Sequence, residues 1–244
     1  MNYIRSFKLE KLTKELGYTA KIPAVKSLAT AGELAFNSPV TYFVGENGTG
    51  KSTLLEAIAV KYGFNAEGGS LNFSFATKET HSPLYSAVKL VRGIERPRTG
   101  FFLRAESFYN AASYIDTLGS TILDAYGGVS LHEQSHGESF FSLVMNRFKG
   151  HGLYILDEPE AALSPSRQMS LLVRINELAE QESQFIIATH SPIVLAYPGS
   201  VIYELTEDGI NRTEYKNTEI YSVMKVFMDS PERMIDHLFE KEKL

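Results

Sequence analysis

The chain has 244 residues, of which 43% are hydrophobic, and its formal net charge is −5. This composition predicts one domain over residues 1–244 and argues against a wholly basic surface, while the lack of cysteine excludes disulfides, thiolate zinc sites and a cysteine nucleophile. No segment approaches the roughly 18 consecutive apolar residues of a membrane span, so we expect a soluble, cytoplasmic protein without membrane insertion.

Apolar, β-rich runs alternate with helical patterns along the chain, which predicts an α/β fold with a mainly parallel sheet flanked by helices. The predicted strands are residues 40–44, 101–105, 153–156, 184–188 and 201–205. Predicted amphipathic helices cover residues 54–62, 140–148 and 171–179. Two more helices are predicted beyond about residue 217, and we expect this C-terminal pair to pack on the core. The polar stretch 65–83 favours a loop with one β-hairpin.

A basic stretch lies between residues 89 and 104 and contains a single acid, Glu95. Such a stretch could contact phosphates or a partner chain, but a solvated face beside a loop is the favoured interpretation. Its basic members are Lys89, Arg92, Arg96, Arg98 and Arg104.

The strongest motif is GENGTGKS at residues 45–52, which follows a predicted strand and opens a predicted helix. This context and the pattern G-x-x-x-x-G-K-[ST] predict a phosphate-binding loop, with backbone N–H groups and the positive end of a helix directed at a polyphosphate. Lys51 is expected to bridge the β- and γ-phosphates, and Ser52 to coordinate Mg²⁺. The residues predicted to bind ATP here are Gly45, Glu46, Asn47, Gly48, Thr49, Gly50, Lys51, Ser52 and Thr53.

Two adjacent acids, Asp157 and Glu158, directly follow the predicted strand 153–156. Charge at the end of a buried strand is costly unless it is used. We expect Asp157 to hold Mg²⁺, mostly through water, and Glu158 to polarise the water that attacks the γ-phosphate. His190 follows another predicted strand, on the edge where open α/β sheets bind ligands, so it is a candidate donor to the γ-phosphate. A purely structural role for this histidine stays open.

In this order, the segments resemble the ATP-binding cassette (ABC) ATPases over about residues 40–205. The P-loop, the Walker B strand ending at Asp157, the D-loop at residues 162–164 and the switch histidine His190 occupy the positions expected for that family. The resemblance implies an ABC-ATPase-like P-loop NTPase fold with a small helical signature region. It also implies Mg²⁺-dependent ATP hydrolysis, with Glu158, His190 and Lys51 as catalytic residues.

Two family elements are altered in this chain. Residues 134–138, QSHGE, occupy the place of the family signature but depart from it at Gln134 and His136. In the family, two heads pair head to tail, which implies a homodimer in which Ser135, Gly137 and Glu138 bind the ATP of the partner. Glu106 stands where the family has a glutamine, and is expected to be a metal ligand with Ser52 and Asp157.

The chain resembles the compact, soluble predicted ATPases related to DNA-repair and chromosome-maintenance ATPase heads more than it resembles transporter subunits. The short interval from Ser52 to Ser135 leaves no room for a long coiled-coil arm. A non-hydrolytic, ATP-gated clamp for a nucleic acid or protein, the energising subunit of a membrane transporter, and a small-molecule kinase remain alternatives; Glu158 favours turnover over the clamp. The residue that contacts adenine stays open among Tyr3, Tyr18 and Phe36.

Overall fold

The computed structural model describes residues 2–11, 14–71, 82–104 and 136–241. The described strands are β1 (Ile4–Leu9), β2 (Glu33–Ala35), β3 (Val40–Gly45), β4 (Gly69–Ser70), β5 (Val88–Arg92), β6 (Thr99–Arg104), β7 (Gly152–Asp157), β8 (Gln184–Ala188), β9 (Val201–Leu205) and β10 (Ile210–Thr213). The described α-helices are α1 (Pro23–Ala31), α2 (Lys51–Tyr62), α3 (Leu84–Ala87), α4 (His136–Arg147), α5 (Pro165–Glu180), α6 (Glu219–Asp229) and α7 (Pro231–Lys241). None of these helices has the length and apolar character that a membrane span requires.

The larger sheet has seven strands in the order β10-β9-β3-β8-β7-β6-β4. Its five inner strands, from β9 to β6, run parallel to one another, whereas β10 and β4 pair antiparallel at the two edges. The inner strands are apolar along nearly their whole length because both faces of the sheet are covered. The predicted α/β fold with a mainly parallel sheet is confirmed.

Successive residues of the inner strands contribute to separate apolar cores on the two faces of this sheet. On β3, Phe43 belongs to the core that contains the apolar side of α2, whereas Tyr42 and Val44 belong to the core formed with α4 and α5. The parallel strands place their carboxyl ends along one edge of the sheet. Asp157 at the end of β7 is therefore in register with Ala188 at the end of β8.

A second, three-stranded antiparallel sheet in the order β2-β1-β5 was not predicted from the sequence. Its strands are short or carry charged residues, so they lack the continuous apolar runs that identified the strands of the large sheet.

The basic stretch contributes to this region. Arg92 on β5 donates from Nη2 to the carbonyl oxygens of Lys61 and Tyr62, and its guanidinium carbon lies 4.6 Å from the centre of the Tyr62 ring. Arg92 thus caps the C-terminal end of α2.

The polar stretch 65–83 contains β4, which pairs with the distant strand β6. Strand β4 therefore does not belong to the predicted hairpin, because the strand with which it pairs lies about thirty residues away. The rest of the predicted hairpin, residues 72–81, lies outside the described residues.

The C-terminal helices α6 and α7 do not pack on the core as predicted. No residue of α6 is buried, and among the described residues of this region Ile220 and the neighbouring Tyr215 are partly buried hydrophobic residues that pack against the core. An amphipathic pattern specifies that a helix has an apolar face, but it does not specify which surface covers that face. The large apolar side chains that stay exposed here are Val223, Met224, Val226, Phe227, Met228, Ile235, Leu238 and Phe239.

Candidate functional site

The loop between β3 and α2 has a backbone that requires glycine at two positions. Gly45 and Gly50 have φ angles of 137° and 106°, which side-chain-bearing residues rarely adopt. A Cβ atom would lie 2.2 Å from the Leu205 carbonyl oxygen at Gly45, and 2.5 Å from Ile22 Cγ2 at Gly50. Inside the loop, Thr49 Oγ1 donates to the Glu46 carbonyl oxygen at 2.8 Å. The tip formed by residues 46–48 is exposed.

The segment that precedes α1 supports this loop from outside the motif. Ala24 N–H donates to the Thr49 carbonyl oxygen at 3.0 Å. The 3₁₀ segment Lys14–Lys21 leads into this contact and carries Tyr18, whose side chain is 71% exposed. Tyr3 and Phe36 are only 2% and 1% exposed, so burial removes them as candidates for contact with adenine. Tyr18 is the one of these three aromatic residues that remains available.

Lys51 is nearly buried, at 4% exposure, and its ammonium group lies within the loop. Its Nζ atom donates to the carbonyl oxygens of Gly45 and Glu46 at 2.8 and 2.9 Å. Burial lowers the pKa of Lys51 from its ordinary value, while the charges of Glu158 and Asp157 act in the opposite direction. The lysine is therefore held by the loop and is electrostatically coupled to the acids at the end of β7.

Ser52 and Asp157 meet across the junction of α2 and β7. Ser52 Oγ donates to Asp157 Oδ1 at 3.0 Å, and Asp157 is 6% exposed. A hydroxyl and a carboxylate oxygen in contact fit the preference of Mg²⁺ for oxygen ligands, with phosphate and water completing its coordination. Among the residues that the structure describes, no group of three or more His, Cys, Asp and Glu side chains could hold a metal. Glu106, the third predicted ligand, lies outside the described residues.

Glu158 and His190 lie on the loops that leave two neighbouring strands. Glu158 has a left-handed φ of 52°, and its N–H donates to the Ala188 carbonyl oxygen at 2.9 Å. Its Oε1 atom lies 3.6 Å from His190 Nε2. That nitrogen is buried and makes no hydrogen bond to any of the described residues. The described residues therefore leave the hydrogen-bonding capacity of this nitrogen unused.

The electrostatic surroundings of His190 favour the neutral imidazole. Burial lowers the pKa of His190, the positive charge of Lys51 lowers it further, and the Glu158 carboxylate opposes both effects. A neutral imidazole keeps one N–H donor and one acceptor, so it can donate to a phosphate oxygen without being protonated. The structure thus brings together five of the predicted residues: Lys51, Ser52, Asp157, Glu158 and His190.

The described part of the predicted signature packs on the same chain. Gly137 is buried in the first turn of α4, where a Cβ atom would lie 2.3 Å from the Ala162 carbonyl oxygen. Glu138 is exposed, and its Oε1 atom lies 3.4 Å from Nη2 of Arg167 on α5. Gln134 and Ser135 lie outside the described residues. The first turn of α4 is thus fixed against the segment that follows β7.

The sequence interpretation missed a buried ion pair behind the P-loop helix. Arg104 Nη1, at the end of β6, lies 2.6 Å from Oε2 of Glu56 on α2. Glu56 Oε1 also accepts a hydrogen bond from Ser82 N–H at 2.7 Å. An acid within the apolar run LLEAIA was a signal that this position has a partner, because buried carboxylates are rarely unpaired.

Two family models match separate parts of the chain. The family described as "AAA domain" matches residues 21–83, which include the P-loop. The family described as "AAA domain, putative AbiEii toxin, Type IV TA system" matches residues 101–196, which include both acids and His190. The two matches together cover all five residues that the structure brings together.

Known proteins with similar sequences or folds include an ATP-binding protein, an ATP-binding cassette and an SMC head domain. The ribose import ATP-binding protein RbsA of Yersinia pestis is 23% identical over the whole chain and 50% of its own length, so the chain spans about half of this relative. An ATP-binding cassette of an ABC transporter in its ADP conformation shares the fold, with a TM-score of 0.50, 18% identity and coverage of 93% of this chain and 98% of that one. The SMC head domain from Thermotoga maritima has a TM-score of 0.46 and 15% identity, covering 88% of this chain and 100% of that one.

Fold and motif lead to the same class of protein. A glycine-dependent loop joins β3 to α2, the two acids lie at the end of β7, which β8 separates from β3, and the fold is similar to that of an ATP-binding cassette. In its phosphate-binding loop, its fold and its sequence matches, the chain is similar to the ATP-binding domains of the ABC-type P-loop ATPases.

Proposed function

We propose that this domain hydrolyses ATP with the help of Mg²⁺ and that hydrolysis drives a conformational switch in a protein or nucleic-acid partner. The observation that carries the proposal is the meeting of Ser52 with Asp157, and of Glu158 with His190, beside the lysine of the P-loop. A binding module without turnover has no need for an acid beside the phosphate site. The geometry therefore supports hydrolysis over the ATP-gated clamp.

Each residue of the site has a distinct proposed task. The loop N–H groups and the start of α2 bind the phosphates, and Lys51 neutralises charge on the β- and γ-phosphates. Ser52 and Asp157 would hold Mg²⁺, with Glu106 as a further proposed ligand. Bound Mg²⁺ supplies charge stabilisation at the phosphate oxygens. Glu158 accepts a proton from the attacking water, and His190 donates to the γ-phosphate through its neutral ring.

We also propose that two copies pair head to tail around ATP. A single P-loop is present in the chain, while the first turn of α4 provides a second helix N-terminus that suits anionic oxygen. Ser135, Gly137 and Glu138 would then contact the nucleotide bound by the partner copy. The packing of Gly137 against the Ala162 carbonyl oxygen supports this idea, because it couples this turn to the segment after Glu158.

Glu158→Gln tests the proposed general base. We expect phosphate release to fall by about 10²- to 10⁴-fold, while the dissociation constant for ATP stays nearly unchanged and an ATP-bound dimer accumulates. Glu207→Gln, on an exposed turn between β9 and β10, is the matched control and is expected to behave like the wild type. Unchanged turnover in Glu158→Gln would remove this residue from the role.

The class of partner is tested by measuring ATP hydrolysis alone and with DNA, RNA or proteins recovered by pull-down. Stimulation by one of them identifies what the switch acts on, because a partner that changes the rate of hydrolysis is coupled to the nucleotide site. A wild-type chain that binds ATP and pairs without releasing phosphate would favour the clamp instead.

One observation favours a second candidate function. The match to RbsA, whose name describes ribose import, extends over the whole chain. If the chain energises an importer, it should co-purify with a membrane protein, and that protein should stimulate its ATP hydrolysis.

A further inference from the structure

A side chain links the two loops that carry Glu158 and His190. Glu160 follows Glu158 by two residues, and its Oε1 atom accepts a hydrogen bond from His190 N–H at 2.5 Å. The two loops leave β7 and β8, which are neighbours in the sheet with Asp157 in register with Ala188. The bond therefore connects the loops at the point where both leave the sheet.

The backbone after β7 folds so that this bond forms. Glu158 adopts its left-handed conformation, Ala161 N–H donates to the Glu158 carbonyl oxygen at 3.1 Å, and Leu163 N–H donates to that of Glu160 at 2.8 Å. These consecutive turns reverse the chain. They direct the Glu160 carboxylate towards the loop after β8, while Glu158 remains beside the imidazole of His190.

Burial of the Glu160 carboxylate is unfavourable in itself. The Oε2 atom of Glu160 is buried, and burial, with a contribution from the charge of Glu158, raises the pKa of Glu160. A buried carboxylate beside another acid is unfavourable unless its contacts compensate. Three hydrogen bonds oppose this shift, from the N–H of His190, from the N–H of Glu160 itself and from the Thr189 side chain. The first of them joins the carboxylate to the backbone of the histidine that faces Glu158.

We propose that Glu160 is a positioning residue that sets the distance between Glu158 and the imidazole of His190. This inference rests on the proposed hydrolysis. Glu160 fixes the backbone of His190 by one hydrogen bond and belongs to the same turn as Glu158, so it determines the 3.6 Å separation between Oε1 and Nε2. Displacement of a reacting group by about 1 Å costs on the order of 10²-fold in rate, so a link of this kind affects turnover more than ATP binding.

The test compares Glu160→Ala, which removes the acceptor, with Glu160→Gln, which keeps an oxygen acceptor but loses the charge. We expect kcat of the alanine variant to fall by about 10- to 100-fold with little change in KM for ATP, and the glutamine variant to recover most of the activity. Glu207→Ala, on an exposed turn, is the control and should match the wild type. Wild-type kcat in Glu160→Ala would overturn the proposal, as would equal loss in both variants.

A second measurement on the folded protein does not depend on hydrolysis. The pKa of His190, followed by NMR of its ring protons, should rise towards 6.5 in Glu160→Ala relative to Glu160→Gln, because the released ring becomes more hydrated. Both variants lack the carboxylate of Glu160, so a difference in the His190 pKa between them reports the position of the ring and not the charge at residue 160. Equal His190 pKa values in the two variants would overturn the positioning role. Failure of the wild type to hydrolyse ATP would instead overturn the proposed function.

Discussion

Arg104→Met tests how strongly the ion pair behind the P-loop helix stabilises the domain. The substitution keeps much of the apolar stem but removes the cation that lies 2.6 Å from Glu56 Oε2. The side chains are 23% and 9% exposed, respectively, so the carboxylate would be left largely buried. Removing one partner of a buried pair costs about 3–5 kcal/mol. Because Arg104 is partly exposed and Ser82 N–H still donates to Glu56, we expect about 2–3 kcal/mol.

This effect is measured by denaturant unfolding of the wild type, the single variants Glu56→Gln and Arg104→Met, and the double variant. In a chain of this size, a loss of 2–3 kcal/mol should lower the melting temperature by roughly 4–12 °C. The double variant Glu56→Gln/Arg104→Met should lose less than the sum of the two single losses, since it no longer contains an uncompensated carboxylate. Arg212→Met, on the exposed edge strand β10, is the control. A loss below about 0.5 kcal/mol in Arg104→Met, or strict additivity in the double variant, would refute the reasoning.

Three further predictions concern the nucleotide site. Tyr18→Ala should weaken ATP binding by about tenfold and Tyr18→Phe should not, because stacking on a base needs only the ring; equal dissociation constants for both variants and the wild type would contradict this. Ser135→Arg should abolish ATP hydrolysis alone but recover part of it when mixed with Lys51→Ala, and absence of rescue between folded, pairing chains would argue against shared sites. Burial raises the pKa of Glu160. The contribution of Glu160 to the stability of the fold is therefore complete below about pH 4.5, and it is lost as the pH rises through the folded-state pKa. The melting temperature of Glu160→Gln should therefore rise relative to the wild type between about pH 4 and pH 8, and a difference that is independent of pH would contradict the assignment.

The elements that the sequence predicted well are those in which local pattern and burial agree. Strands 184–188 and 201–205 have the predicted bounds because each is a continuous run that is buried between two cores. The short strands of the second sheet were missed, since their charged residues and brief length make no such pattern. The C-terminal helices were predicted as helices, but their packing on the core was wrong, because the covering surface is a property of the tertiary structure.

The residues of the candidate site also fall into those that a local sequence pattern predicts and those that it does not. Lys51, Asp157 and His190 were found because each lies at the end of a strand or in a motif with defined spacing. The contacts of Glu56 with Arg104, and of Glu160 with His190, join residues far apart in the chain and leave no local pattern. The roles of Glu106 and Ser135, the homodimer and a single domain over residues 1–244 stay predictions.

The left-handed backbone of Glu158 has a consequence for evolution and engineering. A residue with a side chain in this conformation is less stable than glycine by about 1 kcal/mol, and asparagine also adopts it more readily than glutamate. Selection for thermal stability alone should therefore favour Glu158→Gly or Glu158→Asn. Either change would remove the proposed base while leaving the P-loop intact, so a stability screen of this domain should enrich chains that hold ATP but no longer turn it over.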